Sequence, residues 1–341
     1  MIEAGSLDGD ARTAILEVIG LSVSFGSGQG AVRAVDEVSL CVHEGDIYAI
    51  VGESGCGKST LAAALLDIVP VPGKVTGGEV RFKGQSLSGL ARRELNQVRG
   101  AQVAMVFQSA MNAFNPVVTI GAQVDYILKA HPEVFADHQE GMAYFDHLLS
   151  LVRLDPKRVR GAFESQLSGG MKQRVAIAVS VLLKPSVVVL DEPTTALDVW
   201  NQRLVIAILK DLYRSLGITI VFVTHDLAVV AELANRVGVM YAGRLVEVAT
   251  VDEVFGAGRR HPYVKALIGA IPSVLENGAA VRPIPGQVPN LAALPAGCRF
   301  APRCPIAEPR CRVAEPPLVD DGSGHLVACY VVNAEQGALT H

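Results

Sequence analysis

Apolar and polar positions change rhythm several times along this chain. Residues 15–25, 32–42 and 79–82 carry alternating and clustered apolar side chains. A period near two predicts strands of an antiparallel sheet. Thr76-Gly77-Gly78 predicts a turn ahead of the third strand. Residues 47–51, 187–190, 218–223 and 237–240 are apolar without alternation. Short unbroken runs of this kind predict strands buried on both faces. The runs 61–66 and 175–183 predict helices, as does the apolar spacing of 144–152. The whole stretch 109–180 has helical character, and a strand at 246–250 closes this part.

After Phe255 the composition shifts. Residues 256–260 read as a loop, and His261-Pro262-Tyr263 opens a short helix that Ile271-Pro272 ends. From Val281 onward Pro283, Pro285, Pro289 and Pro295 predict an extended, turn-rich path. Residues 333–341 are expected to be loose. The division is therefore residues 1–255, with a helical part at about 109–180, followed by residues 256–341. With 341 residues, half of them hydrophobic, there is enough chain for a main core and a smaller appendage. A net charge of −4 gives no support for a basic nucleic-acid face. Residues 1–12 are acidic and polar, without signal-peptide character. The longest apolar runs are too short to span a bilayer, so a soluble protein is expected, and any membrane role would need partner subunits. A mean hydropathy of +0.34 is high for such a chain and fits buried parallel strands plus an apolar docking surface.

Candidate chemistry lies at the ends of the apolar runs. Gly52-Glu53-Ser54-Gly55-Cys56-Gly57-Lys58-Ser59-Thr60 fits the P-loop pattern between a predicted strand and a predicted helix. Glycines there let backbone N–H groups turn inward around phosphate oxygens. Lys58 can reach the β- and γ-phosphates, and Ser59 can place its hydroxyl on Mg²⁺. The strand at 187–190 ends in Asp191 and Glu192. Asp191 is placed to hold the Mg²⁺ shell, and Glu192 to orient and deprotonate the attacking water. Leu167-Ser168-Gly169-Gly170 precedes another helical run. Ser168 alone could be an ordinary N-cap, but the paired glycines point to a second anion-facing helix start. A thiol at Cys56, beside Lys58, is expected to have a lowered pKa; its other reading is a small space-filler.

With these motifs in place the chain resembles the ATP-binding-cassette (ABC) ATPases over roughly residues 15–255. Leu167 to Gln173 looks like the family's signature motif. Gln108 in Val106-Phe107-Gln108 matches the Q-loop, Ala196-Leu197-Asp198 the D-loop, and His225 the switch histidine. The resemblance implies an α/β P-loop ABC ATPase fold: a RecA-like core, an N-terminal antiparallel sheet and a helical subdomain. It implies ATP and Mg²⁺ as ligands, with Glu192, His225 and Gln108 catalytic and Ser59, Gln108 and Asp191 around the metal. Phe25 sits where the family stacks an aromatic on adenine, although a core strand aromatic reads equally well. Two cassettes would meet head to tail, ATP on 52–60 of one being covered by Ser168, Gly169 and Gly170 of the other. The segment beside Gln108 would meet permease helices.

The C-terminal part sharpens the resemblance. His261-Pro262-Tyr263, Ile284-Pro285-Gly286 and Leu294-Pro295-Ala296-Gly297-Cys298 look like the extension of dipeptide/oligopeptide importer ATPases, and Cys298-Arg299-Phe300-Ala301-Pro302-Arg303-Cys304 extends the match. The implied function is powering peptide import; nickel and glutathione importers of the same family are the alternative, and an ABC ATPase acting on nucleic acid or ribosomes is a more distant one. The implied partners are a second ATPase subunit (a second copy or, as this subfamily favours, a different chain), two permeases and an extracytoplasmic binding protein, with the chain on the cytoplasmic face of the plasma membrane. Cys298, Cys304, Cys311 and Cys329 crowd into this extension with the spacing C-x5-C-x6-C-x17-C. A reducing cytosol disfavours disulfides, so four clustered thiols suggest a metal. The spacing fits neither common zinc knuckles nor the bacterial ferredoxin run. The resemblance favours a [4Fe–4S] cluster over Zn²⁺, as a staple for a tail with too few apolar residues to fold alone.

Overall fold

The structure, a computed structural model, describes residues 12–26, 28–108, 113–195, 197–270 and 283–339. The readings for the first eleven residues, Ser109 to Asn112, Ala196, Ile271-Pro272, Val281 and the last two residues lie outside the described residues. The chain forms two compact units. One combines the residues up to Gly89 with those from Val223 onward, and the other is Leu90–Phe222.

In the first unit, β1 (Ala14–Phe25), β2 (Val32–His43), β4 (Gly73–Phe82) and β5 (Gln85–Ser86) form an antiparallel sheet in the order β2-β1-β4-β5. Leu16 and Val18, then Leu21 and Val23, are buried at a spacing of two, and the register shift between Val18 and Leu21 offsets the two pairs. The expected turn at Thr76-Gly77-Gly78 is instead an irregularity inside β4, which runs unbroken from Gly73. Gly78 has φ 74°, and a Cβ there would lie 2.4 Å from the carbonyl of Gly20. Glycine at a bulge lets two strands stay paired where the sequence reads as a break.

The same unit holds β3 (Ile47–Val51), which leads to α1 (Lys58–Ala64). Beside β3 runs β9 (Arg236–Tyr241), in parallel, and β10 (Arg244–Thr250) pairs antiparallel with β9. Ala242 and Gly243 connect β9 to β10, with φ of 48° and 89°. Two consecutive positive values are what a tight two-residue hairpin needs. Short strands β12 (Leu326–Val327) and β11 (Val319–Asp320) extend this sheet from β10. Helices α8 (Leu227–Leu233), α9 (Val251–Phe255), α10 (Pro262–Gly269) and α11 (Tyr330–Leu339) complete the unit. Helix α11 corrects the expectation of a loose end from Asn333. Its first turn is tied down where Asn333 donates from its backbone to the Cys329 carbonyl and from its side chain to the Val327 carbonyl.

In the second unit, β6 (Val103–Val106) pairs in parallel with β7 (Val187–Asp191), which is buried at every position. The unit boundary falls within β8 (Thr219–Thr224). Helices α2 (Arg92–Val98), α3 (Ile120–Ala130), α4 (His138–Leu151), α5 (Pro156–Gly161), α6 (Gly169–Ser180) and α7 (Val199–Leu216) account for the helical character of this stretch. Five of them start at side-chain caps: Thr119, Asp137, Asp155, Ser168 and Asp198 each accept a backbone N–H of the first turn. Among the described residues no helix is long and apolar enough to cross a membrane.

Candidate functional site

The glycine loop between β3 and α1 is shaped by close backbone approach. A Cβ on Gly52 would lie 2.2 Å from the Met240 carbonyl oxygen. One on Gly57, where φ is 105°, would lie 2.1 Å from that of Ala34. Only glycine fits either position without moving a neighbouring strand. Lys58 is buried, and its Nζ donates to the carbonyls of Gly52 at 2.8 Å and Glu53 at 3.1 Å. Ser54, Gly55 and Ser59 are exposed, and Thr60 is half-buried. The loop thus presents one polar rim to solvent while its ammonium is held inside.

Cys56 departs from the sequence expectation. Its thiol is fully buried, 3.9 Å from Lys58 Nζ. Burial pushes the thiol up, and the nearby ammonium only partly opposes this. Cys56 is therefore a packed, protonated side chain, the space-filler of the two readings. Phe25 is half-buried at the end of β1, with its ring against Gly73. His225 follows β8 and is exposed, ahead of Asp226, which caps α8.

The second unit carries the other predicted positions. Asp191 ends β7 and is buried, and so is Glu192, held at φ 52°. A non-glycine residue in that region is strained and points to a positional requirement. Thr195 donates its hydroxyl to Glu192 Oε2 at 2.6 Å. Ser168 caps α6, and a Cβ on Gly170 would lie 2.7 Å from Asn201 Oδ1. Gln108 is exposed. A groove of about 240 Å³ beside it is lined by Phe107, Phe114, Val124, Ile127 and Val179 among others.

Residues that the motif reading did not single out surround the glycine loop. Tyr263, on α10, accepts the Glu53 backbone N–H at 2.9 Å. Arg303 grips the Glu53 carboxylate with both terminal nitrogens, at 2.7 and 3.0 Å. Arg299 pairs with Asp36 of β2 and with Glu315. Phe300, Tyr241 and Tyr263 form a ring cluster with centroids 4.6–5.4 Å apart. The signal for them was the His261-Pro262-Tyr263 and Cys298-to-Cys304 segments, whose partners lie some 200 residues away and leave no local pattern.

These contacts also overturn the metal expectation. Among the described residues no group of three or more His, Cys, Asp or Glu side chains could hold a metal ion. All four C-terminal cysteines are free thiols. They line one void of about 10 Å³, room for a single water at most and far too little for a four-iron cluster. Burial pushes the Cys298 thiol up to about 11 and raises Cys304 and Cys329 as well. Neither [4Fe–4S] nor Zn²⁺ is supported at Cys298, Cys304, Cys311 and Cys329. The tail needs no such staple, because Phe300, Arg299, Arg303 and β12 anchor it to the rest of its unit.

Comparison with known proteins agrees with the motif reading. Residues 35–195 match the ABC transporter family, and residues 246–311 match the oligopeptide/dipeptide transporter C-terminal region. The chain is 39% identical over 332 residues to the Dipeptide transport ATP-binding protein DppD of Bacillus subtilis, covering 96% of this chain and 98% of that protein. It is 40% identical to the Escherichia coli protein of the same name, covering 96% and 99%. Among solved structures, a dimeric post-hydrolysis ATP-binding cassette bound to ADP and Pi matches with a TM-score of 0.61 and 28% identity, over 70% of this chain and 99% of that one. A glycine-shaped phosphate loop, a buried strand ending in two carboxylates and relatives matched over nearly their full length lead to one conclusion: the chain belongs to the ABC transporter family, as an ATPase subunit of the dipeptide/oligopeptide transport branch.

Proposed function

We propose that this chain binds ATP on Gly52 to Thr60 and hydrolyses it to drive import of dipeptides or oligopeptides. The observation that carries this reading is the loop itself, with Lys58 buried on the two carbonyls it would exchange for phosphate oxygens. Mg²⁺, held by Ser59, Asp191 and Gln108, would neutralise charge on the transferring phosphoryl group. Glu192 acts as the base for the attacking water, oriented by the Thr195 hydroxyl, and His225 senses the γ-phosphate. Phe25 offers its half-buried ring to adenine. Ser168, Gly169 and Gly170 cover the nucleotide of a second cassette, which the dimeric state of the matched cassette supports. Residues 1–255 form the ATPase domain and 256–341 the importer-type extension. The second ATPase is a different chain, a second copy of this one being the alternative. The assembly includes two permeases, docked near the groove beside Gln108, and an extracytoplasmic binding protein, with this chain peripheral on the cytoplasmic face of the membrane.

The test is Glu192→Gln in the reconstituted transporter. The substitution keeps size and hydrogen bonding but removes the base. Turnover should fall by about 10²–10⁴-fold while ATP binding survives. Near-normal turnover would remove Glu192 from this role.

A further inference from the structure

We infer that Arg303 and Tyr263 are positioning residues for the nucleotide site, through which the C-terminal segment holds the phosphate loop in its binding shape. The inference rests on the reading that 52–60 holds ATP. Glu53, the second residue of that loop, is fixed at three points. Its N–H donates to Tyr263 Oη at 2.9 Å. Its carboxylate takes both terminal nitrogens of Arg303. Its carbonyl receives Lys58 Nζ.

Arg303 has no freedom left. It is only 4% exposed, and its Nε donates to the Pro285 carbonyl at 2.8 Å. Its Nη1 also reaches Tyr241 Oη at 3.3 Å. Charge-assisted contact with Glu53 raises the pKa of this guanidinium further. A bidentate fork on a carboxylate sets direction as well as distance, which a lysine cannot reproduce. Tyr263 is equally constrained: it is fully buried against the Tyr241 and Phe300 rings.

The consequence concerns Lys58. To meet phosphate oxygens its ammonium must leave the Gly52 and Glu53 carbonyls. The Glu53 carbonyl keeps the Cys56 N–H at 3.3 Å, whereas the Gly52–Glu53 peptide must be held from elsewhere or the loop relaxes away from the shape that binds. Arg303 and Tyr263 supply that restraint from residues outside the phosphate-loop motif. The cost of losing them therefore falls on nucleotide affinity, and not on the water-activating step.

The experiment measures equilibrium binding of a fluorescent ATP analogue on the full chain, and steady-state hydrolysis in the reconstituted transporter. It uses wild type, Arg303→Lys, Glu53→Gln and the double variant. Circular dichroism and melting temperature confirm folding. Each single variant should weaken binding by about tenfold, the value of a charged hydrogen bond. For Arg303→Lys the loss should appear in KM and not in kcat. The double variant should bind no worse than the weaker single, because both remove one interaction. Tyr263→Phe should give a smaller loss in the same direction. Single variants that bind like wild type, or a double variant whose losses simply add, would overturn the proposal. Wild type that binds no ATP would overturn the reading of the loop itself, and the proposal with it.

Discussion

Cys56 and Lys58 lie two residues apart and show how burial outranks proximity. A thiol beside an ammonium should ionise easily. Here the thiol has no access to water, and removing it from solvent raises its pKa more than Lys58 can lower it. The motif revealed which residues cluster but not which of them face inward. The close approach of the Ala34 and Met240 carbonyls to Gly57 and Gly52, on either side of Cys56, is set by strands β2 and β9 and leaves no mark in the motif. The expected outcome is that a thiol alkylator labels Cys56 slowly in the native protein and readily after denaturation. Peptide mapping by mass spectrometry distinguishes it from the partly exposed Cys41, Cys298 and Cys304. Rapid native labelling of Cys56 that ATP blocks would restore the reactive-thiol reading.

At the scale of elements, long periodic segments were legible and irregular ones were not. Strands β3, β7 and β8 matched their apolar runs within a residue or so, because a buried parallel strand needs only an unbroken run. The bulge in β4 and the helix α11 were missed, since partner strands and distant hydrogen bonds decide them. Helix α10 also carries a consequence invisible in sequence. His261 is its N-cap, accepting the Tyr263 N–H on Nδ1 at 3.1 Å. Burial holds its pKa down, from 6.5 to about 3. The unfolded chain then binds a proton that the folded chain refuses between those values. Stability must therefore fall as pH drops below about 6.5. Asp36 adds to this at lower pH. Burial raises its pKa, but hydrogen bonds from Arg33, Arg244 and Arg299 outweigh that and bring it from 3.8 to about 2. Its contribution is complete above its unfolded value and lost as pH falls toward 2. Urea denaturation from pH 7 to 4.5 should show a falling free energy of unfolding. His261→Asn, which keeps a capping acceptor but does not titrate, should flatten that slope. An unchanged slope would remove His261 as its source.

At the scale of the whole molecule, the question is whether residues 283–341 are an appendage or part of the first unit's core. Within that unit the contacts favour the second answer. Asp36, Glu53 and Glu247 are acidic side chains of β2, the glycine loop and β10, the first and last buried. Each finds a partner in the C-terminal segment: Arg299, Arg303 and His325. Strand β12 pairs with β10 at Glu247 and Val248, and Phe300 covers Tyr241 and Tyr263. Deleting 283–341 removes Arg299, Arg303 and His325 from these carboxylates, although Asp36 keeps Arg33 and Arg244, and it uncovers an aromatic cluster. A domain has only about 5–15 kcal/mol to lose. The expected outcome is a truncated chain whose first unit does not hold its native packing, seen as binding of a hydrophobic dye, loss of the near-ultraviolet aromatic signal and loss of ATP binding. Asp36→Asn in the full chain is the milder companion, since it neutralises one charge and leaves the ring cluster covered. It should lower the melting temperature while keeping the near-ultraviolet signal. A truncated protein that melts like the full chain and binds ATP with the same affinity would show the segment to be an appendage after all.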